Sequence, residues 1–231
     1  MISILYNNVF LDNDNFEYRS VKDILVDNSK SLNFDLENED FHYLKPNQFK
    51  NEFLYNDLLN LENLDYLLFH YDEKWEIENY SKKFKKASNL TNISIDKENL
   101  MEFLCNLSKK TSKKIIITTG TLDTRLISNI KDSSKKLNES LYEINLDNTK
   151  GYLLVNQNFF SVCHLISKCS LFISCHGAFT HIASNYRIKI LDVIEKNKTK
   201  HYNRITKHMK NYKYLYRNNF IKLSEEIINY S

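Results

Sequence analysis

The chain has 231 residues, 42 % of them hydrophobic, which is long and apolar enough to bury a sizeable core. Its 32 Lys and Arg against 29 Asp and Glu leave a net charge of +3, and both signs are interspersed, which excludes an electrostatic nucleic-acid partner. No apolar run reaches about 18 residues, which excludes a membrane-spanning helix, and the apolar start at residues 1–10 is too short for a signal peptide. We therefore expect a cytoplasmic protein, either free or peripheral at the inner face of the membrane.

Residues 1–63 are polar and rich in Asn and Asp, with weak apolar periodicity. One amphipathic helix fits the apolar spacing within residues 18–32, and Pro46 marks a break in the chain. This stretch lacks the pattern of an independent α/β domain. We therefore predict a helical and irregular connecting segment over residues 1–63, followed by one domain over residues 64–231.

From residue 64 onward, short apolar runs alternate with segments of helical spacing. The predicted strands are residues 66–71, 114–119, 140–146, 171–174 and 188–194. The predicted helices are residues 100–110, 123–137 and 160–168, a helix opening at 181–185, and residues 224–230. Strands that alternate with helices at this spacing are typical of βαβ units. The sequence therefore predicts an α/β, Rossmann-like sheet of four to six mostly parallel strands with helices on both faces.

Residues 196–217 interleave Lys, Arg, His and Tyr and form the most basic stretch of the chain. A solvated surface with amphipathic aromatic side chains explains this composition. A patch for an anionic ligand or a membrane surface is the alternative.

A metal site is suggested by the four cysteines, because three recur every six residues and two have a neighbouring histidine; they are Cys105, Cys163, Cys169 and Cys175. Zinc ligands usually come in pairs separated by two to four residues, and this spacing is different. We therefore predict free, buried thiols in a reducing cytosol and no metal site.

Polar clusters follow three of the predicted strands. In parallel α/β sheets, ligands bind beyond the carboxyl ends of the strands, so the three clusters should lie at one edge. The first cluster, His70–Trp75, contains Lys74, which can reach a phosphate as a compact positive charge. A surface loop with a solvated lysine beside an anchoring Trp75 explains the same residues without a ligand.

The second cluster runs from Thr118 to Asp123 and includes Thr119 and Gly120. A strand–Gly–helix turn offers backbone N–H groups to an anion, and hydroxyls add donors. The segment has neither the Gly-x-Gly-x-x-Gly pattern nor a P-loop lysine, so neither of those nucleotide motifs applies. An ordinary turn with Thr121 or Asp123 as the helix N-cap is the alternative.

The third cluster runs from the strand end at Ser174 through a small-residue loop into a helix, with candidate ligand contacts from His176, Gly177, Ala178, Thr180 and His181. The glycine and alanine allow close approach of a ligand to the backbone, and a helix N-terminus favours a diphosphate. The two histidines and the threonine can donate hydrogen bonds to phosphate oxygens. A single buried histidine is usually structural, but two that flank a Gly-Ala turn favour a binding site.

In this order, the three clusters resemble the C-terminal domain of heptosyltransferase-like (family 9) glycosyltransferases, the donor-binding half of a GT-B fold. His70–Trp75 supplies the family's Lys-Trp pair, and Thr119–Asp123 supplies its glycine followed by an acid. Residues 161–183 match the family's helix, strand, loop and helix without a gap, which places His181 and Ala183 on its conserved-motif His and Ala. The resemblance covers about two thirds of the chain, counted from residue 64.

This chain departs from the family pattern at two places. The motif's Asp falls on His176, and its Gly falls on Ala178 with Gly177 just before it. Residues 1–63 also have no counterpart to the family's N-terminal Rossmann-like domain, which binds the acceptor and supplies the catalytic base. The resemblance therefore implies a donor-binding half, either of a longer protein or working with a separate N-terminal, acceptor-binding half.

The resemblance implies transfer of a hexosyl or heptosyl unit from a nucleotide-diphosphate sugar to a glycan or lipid-linked acceptor of the lipopolysaccharide type, in the making of cell-envelope polysaccharide. It implies ribose contacts from Asp123, no metal or other cofactor, and phosphate contacts from Lys74, Thr119, Gly120, His176, Gly177, Ala178, Thr180 and His181. No catalytic base is recognisable. A non-catalytic nucleotide-sugar-binding or scaffold protein is the alternative, and an epimerase of related architecture would need catalytic carboxylates that the sequence does not locate.

Overall fold

The computed structural model describes residues 64–77, 90–121, 124–147 and 149–231. The predicted connecting segment over residues 1–63 lies outside the described residues, as does Asp123. The fold below is therefore that of the predicted domain alone.

Eight strands of the described residues form one sheet, in the order β3-β4-β5-β2-β1-β6-β7-β8. The strands are β1 Tyr66–Tyr71, β2 Lys114–Thr119, β3 Lys135–Lys136, β4 Leu141–Leu146, β5 Thr149–Leu154, β6 Leu171–Cys175, β7 Lys189–Ile194 and β8 Tyr212–Tyr216. The six strands from β5 to β8 across the sheet are parallel, and β3 and β4 add antiparallel strands at one edge. The predicted class, an α/β mostly parallel sheet, is confirmed.

The helices are α1 Lys97–Thr111, α2 Arg125–Asp132, α3 Phe159–Lys168, α4 Ala178–Asn185, α5 Thr199–Thr206 and α6 Phe220–Tyr230, with short 3-10 turns at Glu73–Trp75 and Lys196–Lys198. Side chains of Asp96, Thr124, Asn158 and Asn219 cap the starts of four of them by accepting a backbone N–H. The N-cap of α2 is thus Thr124, and the prediction of Thr121 or Asp123 was wrong.

Alternating side chains of the central strands place a core on each face of the sheet. In β1, Leu67, Phe69 and Tyr71 pack with α1, α2 and α6, whereas Tyr66 and Leu68 pack with α3 and α4. Successive residues of a strand point to opposite faces, and a strand covered on both faces reads as a continuous apolar run. That is why residues 66–71 and 114–119 were recognisable as buried strands.

The sheet has more strands than the four to six predicted. Strand β5 escaped prediction because it forms a tight hairpin with β4, with Asp147 in the left-handed region (φ 54°), and Gly151 and Lys150 interrupt its apolar pattern. The basic stretch over residues 196–217 contains α5 and β8, neither of which was predicted. Helix α2 is also shorter than the predicted 123–137, because β3 begins within that range.

Candidate functional site

The three predicted polar clusters meet at the carboxyl edge of the parallel strands. The turn at Asp72–Trp75 follows β1, Gly120 follows β2, and the loop of His176 and Gly177 follows β6 and leads into α4. Because β1 pairs with both β2 and β6, the ends of these three strands are adjacent. Helix α4 begins at Ala178, three residues earlier than predicted, so its first turn lies at this edge, where the Thr180 N–H donates to the Gly177 carbonyl at 3.1 Å.

Lys74 connects the first cluster to the third. Its Nζ donates to the Cys175 carbonyl at 3.1 Å and to the His176 carbonyl at 2.7 Å, and it lies 2.9 Å from the Asp72 carboxylate. Burial opposes the charged form, but the neighbouring Asp72 carboxylate raises the pKa of Lys74 above its ordinary value. A charged ammonium with three N–H donors and three acceptors is fully hydrogen-bonded here, although a quarter of the side chain is exposed.

Gly120 lets the first two clusters pack closely. Its N–H donates to the Tyr71 carbonyl at 3.1 Å, and a Cβ added at this position would lie 3.0 Å from the Asp72 Cβ and would also meet the Glu73 carboxylate. Thr119 ends β2 beside Tyr71 and is half-buried. The close contact explains the glycine without a ligand, and the predicted ribose contact of Asp123 lies outside the described residues.

Gly177 and Thr180 shape the loop of the third cluster. Gly177 donates its N–H to the Thr180 hydroxyl at 3.2 Å, and a Cβ at Gly177 would lie 2.5 Å from the Lys74 ammonium. Thr180 is fully buried, and its Oγ1 also lies 3.3 Å from the Ser174 hydroxyl. Thr180 therefore stabilises the turn through a buried hydroxyl, whereas Ala178, the first residue of α4, is exposed at the sheet edge.

Asp192 is the residue at this edge that the sequence analysis missed. It lies in β7, fully buried, with its carboxylate 2.5 Å from His176 Nδ1. The Tyr212 hydroxyl donates to the same oxygen at 2.9 Å, and the Thr180 hydroxyl donates to the other at 3.4 Å. The signal that could have found Asp192 is its place as the single acid within the otherwise apolar run Ile190–Ile194.

Two other histidines at this edge are held in the neutral form. Burial lowers the pKa of His70 to about 4, and its Nδ1 lies 2.9 Å from the Thr118 hydroxyl. Burial, followed by the charges of His176 and His208, lowers the pKa of His181 to about 3. A neutral imidazole has one N–H donor, so His181 can offer a phosphate a hydrogen bond but no positive charge at pH 7.

Aromatic side chains form one rim of the edge. The ring of Phe179 meets His70 edge-on at a centroid distance of 5.0 Å and is stacked on Phe159 at 5.6 Å. Phe159 and Phe160 open α3 and are 40 % and 42 % exposed. An apolar, partly exposed surface therefore borders the polar loops.

The cysteines are free thiols, and burial raises the pKa of Cys163 and Cys175 to about 12. Across the described ranges, no group of three or more His, Cys, Asp or Glu side chains could hold a metal ion. That the protein needs no metal stays a prediction.

None of the helices in the part of the chain that the structure covers has both the length and the apolar character to cross a bilayer.

No known family model matches the chain, and no curated protein sequence matches it either. Its fold is similar to that of the Escherichia coli heptosyltransferase WaaC with ADP-2-deoxy-2-fluoro heptose, at 11 % identity and a TM-score of 0.46, over 88 % of this chain and 53 % of that one. A family 9 glycosyl transferase from Veillonella parvula gives 11 % identity and a TM-score of 0.48, over 95 % and 63 %. The wall teichoic acid polymerase TagF gives 15 % and 0.34, over 79 % and 40 %.

This chain thus spans between 40 % and 63 % of the length of the three solved chains. Similarity at this level of identity and TM-score concerns the course of the backbone. It assigns no reaction to this chain.

Proposed function

We propose that residues 64–231 form the donor-binding part of a glycosyltransferase that moves a sugar from a nucleotide diphosphate to a glycan or lipid-linked acceptor. The observation that carries the proposal is the convergence at one sheet edge of a charged lysine, Lys74, with the loop that opens α4. A hexosyl or heptosyl donor and a role in cell-envelope polysaccharide on the cytoplasmic side are the finer parts of the proposal.

The chemistry of such a transfer suits this edge. Breaking the bond between sugar and diphosphate leaves negative charge on the phosphate oxygens, which preorganised N–H donors and cations stabilise without a metal. The first turn of α4, starting at Ala178, offers N–H groups and the positive end of the helix dipole. Lys74 supplies a full charge beside it.

Lys74 would bind a phosphate by exchange. Its three present acceptors leave no spare N–H, so a phosphate oxygen would replace one of the two loop carbonyls, those of Cys175 and His176. The exposed quarter of the side chain gives a ligand access. A phosphate oxygen carries more negative charge than a carbonyl oxygen, so its hydrogen bond to the lysine ammonium is stronger than the bond that it replaces.

Of the remaining predicted contacts, the exposed groups would touch the ligand and the buried ones would hold the loop in place. Backbone groups near Gly177 and Ala178 and the ring of His181 would face the diphosphate, and Thr180 would support them from below. Asp123 would bind the ribose. The acceptor site and the catalytic base would come from outside residues 64–231, in this chain or in a separate N-terminal half, and the proposal includes no metal.

Calorimetric titration with ADP-, UDP- and GDP-sugars tests the proposal in three variants and the wild type. Lys74→Met removes the charge and should weaken donor binding by about 1.5–3 kcal/mol, a typical value for a hydrogen bond to a charged group. Gly177→Ala keeps the charge but displaces the ammonium, which lies 2.5 Å from the new Cβ, so it should weaken binding as well. Binding should fall with added salt because the site is partly open.

Lys113→Met is the matched control. Lys113 also pairs with a carboxylate, that of Asp65 at 3.0 Å, but it precedes β2 and so lies at the opposite edge of the sheet. Its removal should leave donor binding unchanged. Equal affinity of wild type and Lys74→Met would contradict the proposed site.

A non-catalytic protein that kept this fold is the second candidate. The observation that favours it is the complete internal bonding of Lys74, which serves as a cross-link between β1 and β6 without any ligand. Absence of binding by the wild type to all three classes of nucleotide sugar would support this candidate.

A further inference from the structure

His176, one of the predicted phosphate contacts, forms a pair with Asp192, a residue that has no role in the proposed function so far. His176 directly follows β6, and Asp192 lies in the neighbouring strand β7, where it is in register with Ser174. The ring nitrogen Nδ1 and the carboxylate oxygen Oδ2 are 2.5 Å apart. The pair therefore joins the loop at the candidate site to the neighbouring strand β7.

The carboxylate is built into the fold. Its side chain has no exposed area, and it accepts hydrogen bonds from the loop, from α4 and from β8, through His176, Thr180 and Tyr212. A buried carboxylate is costly unless such donors satisfy it. Two of its three donors come from the loop and first turn that the proposed function assigns to the diphosphate.

The pairing decides which ring nitrogen carries the proton. A carboxylate ion only accepts hydrogen bonds, so His176 Nδ1 must be the N–H nitrogen. Nε2, on the far side of the ring, then faces a ligand. It can bond a phosphate oxygen once it takes up a proton from solvent, because the imidazolium donates from both nitrogens, to Asp192 and to the phosphate. The rings of Tyr202 and His181 pack edge-on against the imidazole at centroid distances of 4.7 and 5.3 Å and hold its plane.

We propose that Asp192 is a positioning residue, which fixes the ring of His176 with Nδ1–H inward so that Nε2, protonated when the ligand binds, donates to a phosphate oxygen of a bound nucleotide. The inference rests on the proposed function. Tyr212 supports Asp192 by donating to the same oxygen that binds His176. Asp192 itself touches no ligand, and its effect passes through the orientation of the imidazole.

Imidazole nitrogen-15 spectra of the ligand-free full chain, labelled at histidine, test the positioning directly. In the wild type, Nδ1 of His176 should be protonated, and a neutral ring with its proton on Nε2 would overturn the inference. Asp192→Asn replaces the acceptor by a side chain that can also donate, so the proton should move to Nε2. Retention of the Nδ1 proton in this variant would count equally against it.

Titration with ADP tests the consequence for the ligand. Asp192→Asn should bind ADP about tenfold more weakly than the wild type, because the neutral Nε2–H tautomer gives the phosphate a weaker hydrogen bond than an imidazolium held by a carboxylate. Tyr214→Phe is the control, because it removes a hydroxyl from β8, the strand of Tyr212, on a ring whose centroid lies 6.2 Å from that of Tyr212. It leaves Asp192 untouched, so its affinity for ADP should be within about twofold of the wild type.

The two measurements distinguish failure of the inference about Asp192 from failure of the proposed function. A switched proton with unchanged ADP affinity would overturn the assignment of Nε2 to the ligand. If ADP binds to none of the proteins, the proposed function fails, and the nitrogen spectra decide by themselves whether Asp192 positions His176. The wild-type spectrum gives that answer even if Asp192→Asn does not fold.

Discussion

Charges are arranged differently at the carboxyl edge of the sheet and around its antiparallel edge. At the carboxyl edge, Asp72 and Asp192 are buried, and each accepts hydrogen bonds from more than one donor, including a lysine or a histidine. Around β3, β4 and the hairpin that follows, the ion pairs are exposed at least on the lysine side, as in Lys136–Glu139, Lys150–Glu143 and Lys109–Asp147.

The difference separates two uses of charge. An exposed ion pair gains little because water screens it and two flexible side chains lose entropy. A buried charge loses its hydration and persists only where a network of donors replaces it. The buried charges at the strand ends are therefore fixed in place by their hydrogen bonds, whereas the surface pairs are explained by solvation.

The largest expected effect is at Asp192. Asp192→Ala leaves His176, Tyr212 and Thr180 without their common acceptor and should lower the free energy of unfolding by about 4 kcal/mol, as for the loss of one partner in a buried charged network. Urea denaturation followed by circular dichroism measures it. Glu139→Ala, which removes an exposed carboxylate from its pair with Lys136, is the control. Similar losses in both variants would contradict the contrast between the two regions.

Acidification should destabilise the protein through its neutral histidines. Between about pH 6.5 and pH 4, a histidine is protonated in the unfolded chain but stays neutral in the folded state. The unfolded state therefore binds more protons, and the free energy of unfolding decreases as the pH is lowered. For His70, whose pKa is lowered by burial to about 4, the loss between pH 7.5 and 5 is about 2 kcal/mol.

His70→Gln separates this contribution from all others. The variant should lose less stability than the wild type over the same pH range, as seen in urea midpoints at pH 7.5, 6.5, 5.5 and 5.0. Parallel pH dependences in the two proteins would show that His70 titrates normally in the folded state.

The smallest expected effect is at the exposed pair Lys109–Asp147, whose two side chains are 54 % and 56 % exposed. Lys109→Ala should leave the urea midpoint within the reproducibility of the measurement, because a surface ion pair in water contributes little. Addition of 1 M NaCl should likewise change the midpoint of wild type and variant in parallel. If Lys109→Ala clearly lowered the urea midpoint in low salt, this exposed pair would contribute to stability as the buried charges do.

Local sequence patterns determined most of the parallel core. Residues 66–71 and 114–119 are apolar or β-branched almost throughout, which suits strands buried on both faces, and they were placed correctly. Strand β8 was missed although Tyr212, Tyr214 and Tyr216 alternate, because it is short and lies within the most basic stretch of the chain, which was explained as a solvated surface. The order of polar loops after strands likewise predicted which clusters would meet.

The amino-acid sequence by itself thus determined the fold class and the edge at which polar residues gather, because strand periodicity and loop position are local properties of the chain. Only the tertiary structure decided the partners within that edge. Lys74 meets carbonyls about a hundred residues away, and His176 meets Asp192 from another strand, because β6 lies between β1 and β7 in the sheet. Strand order and register come from packing of the whole core, so they also decided that Thr180 is buried and that Asp192 is satisfied.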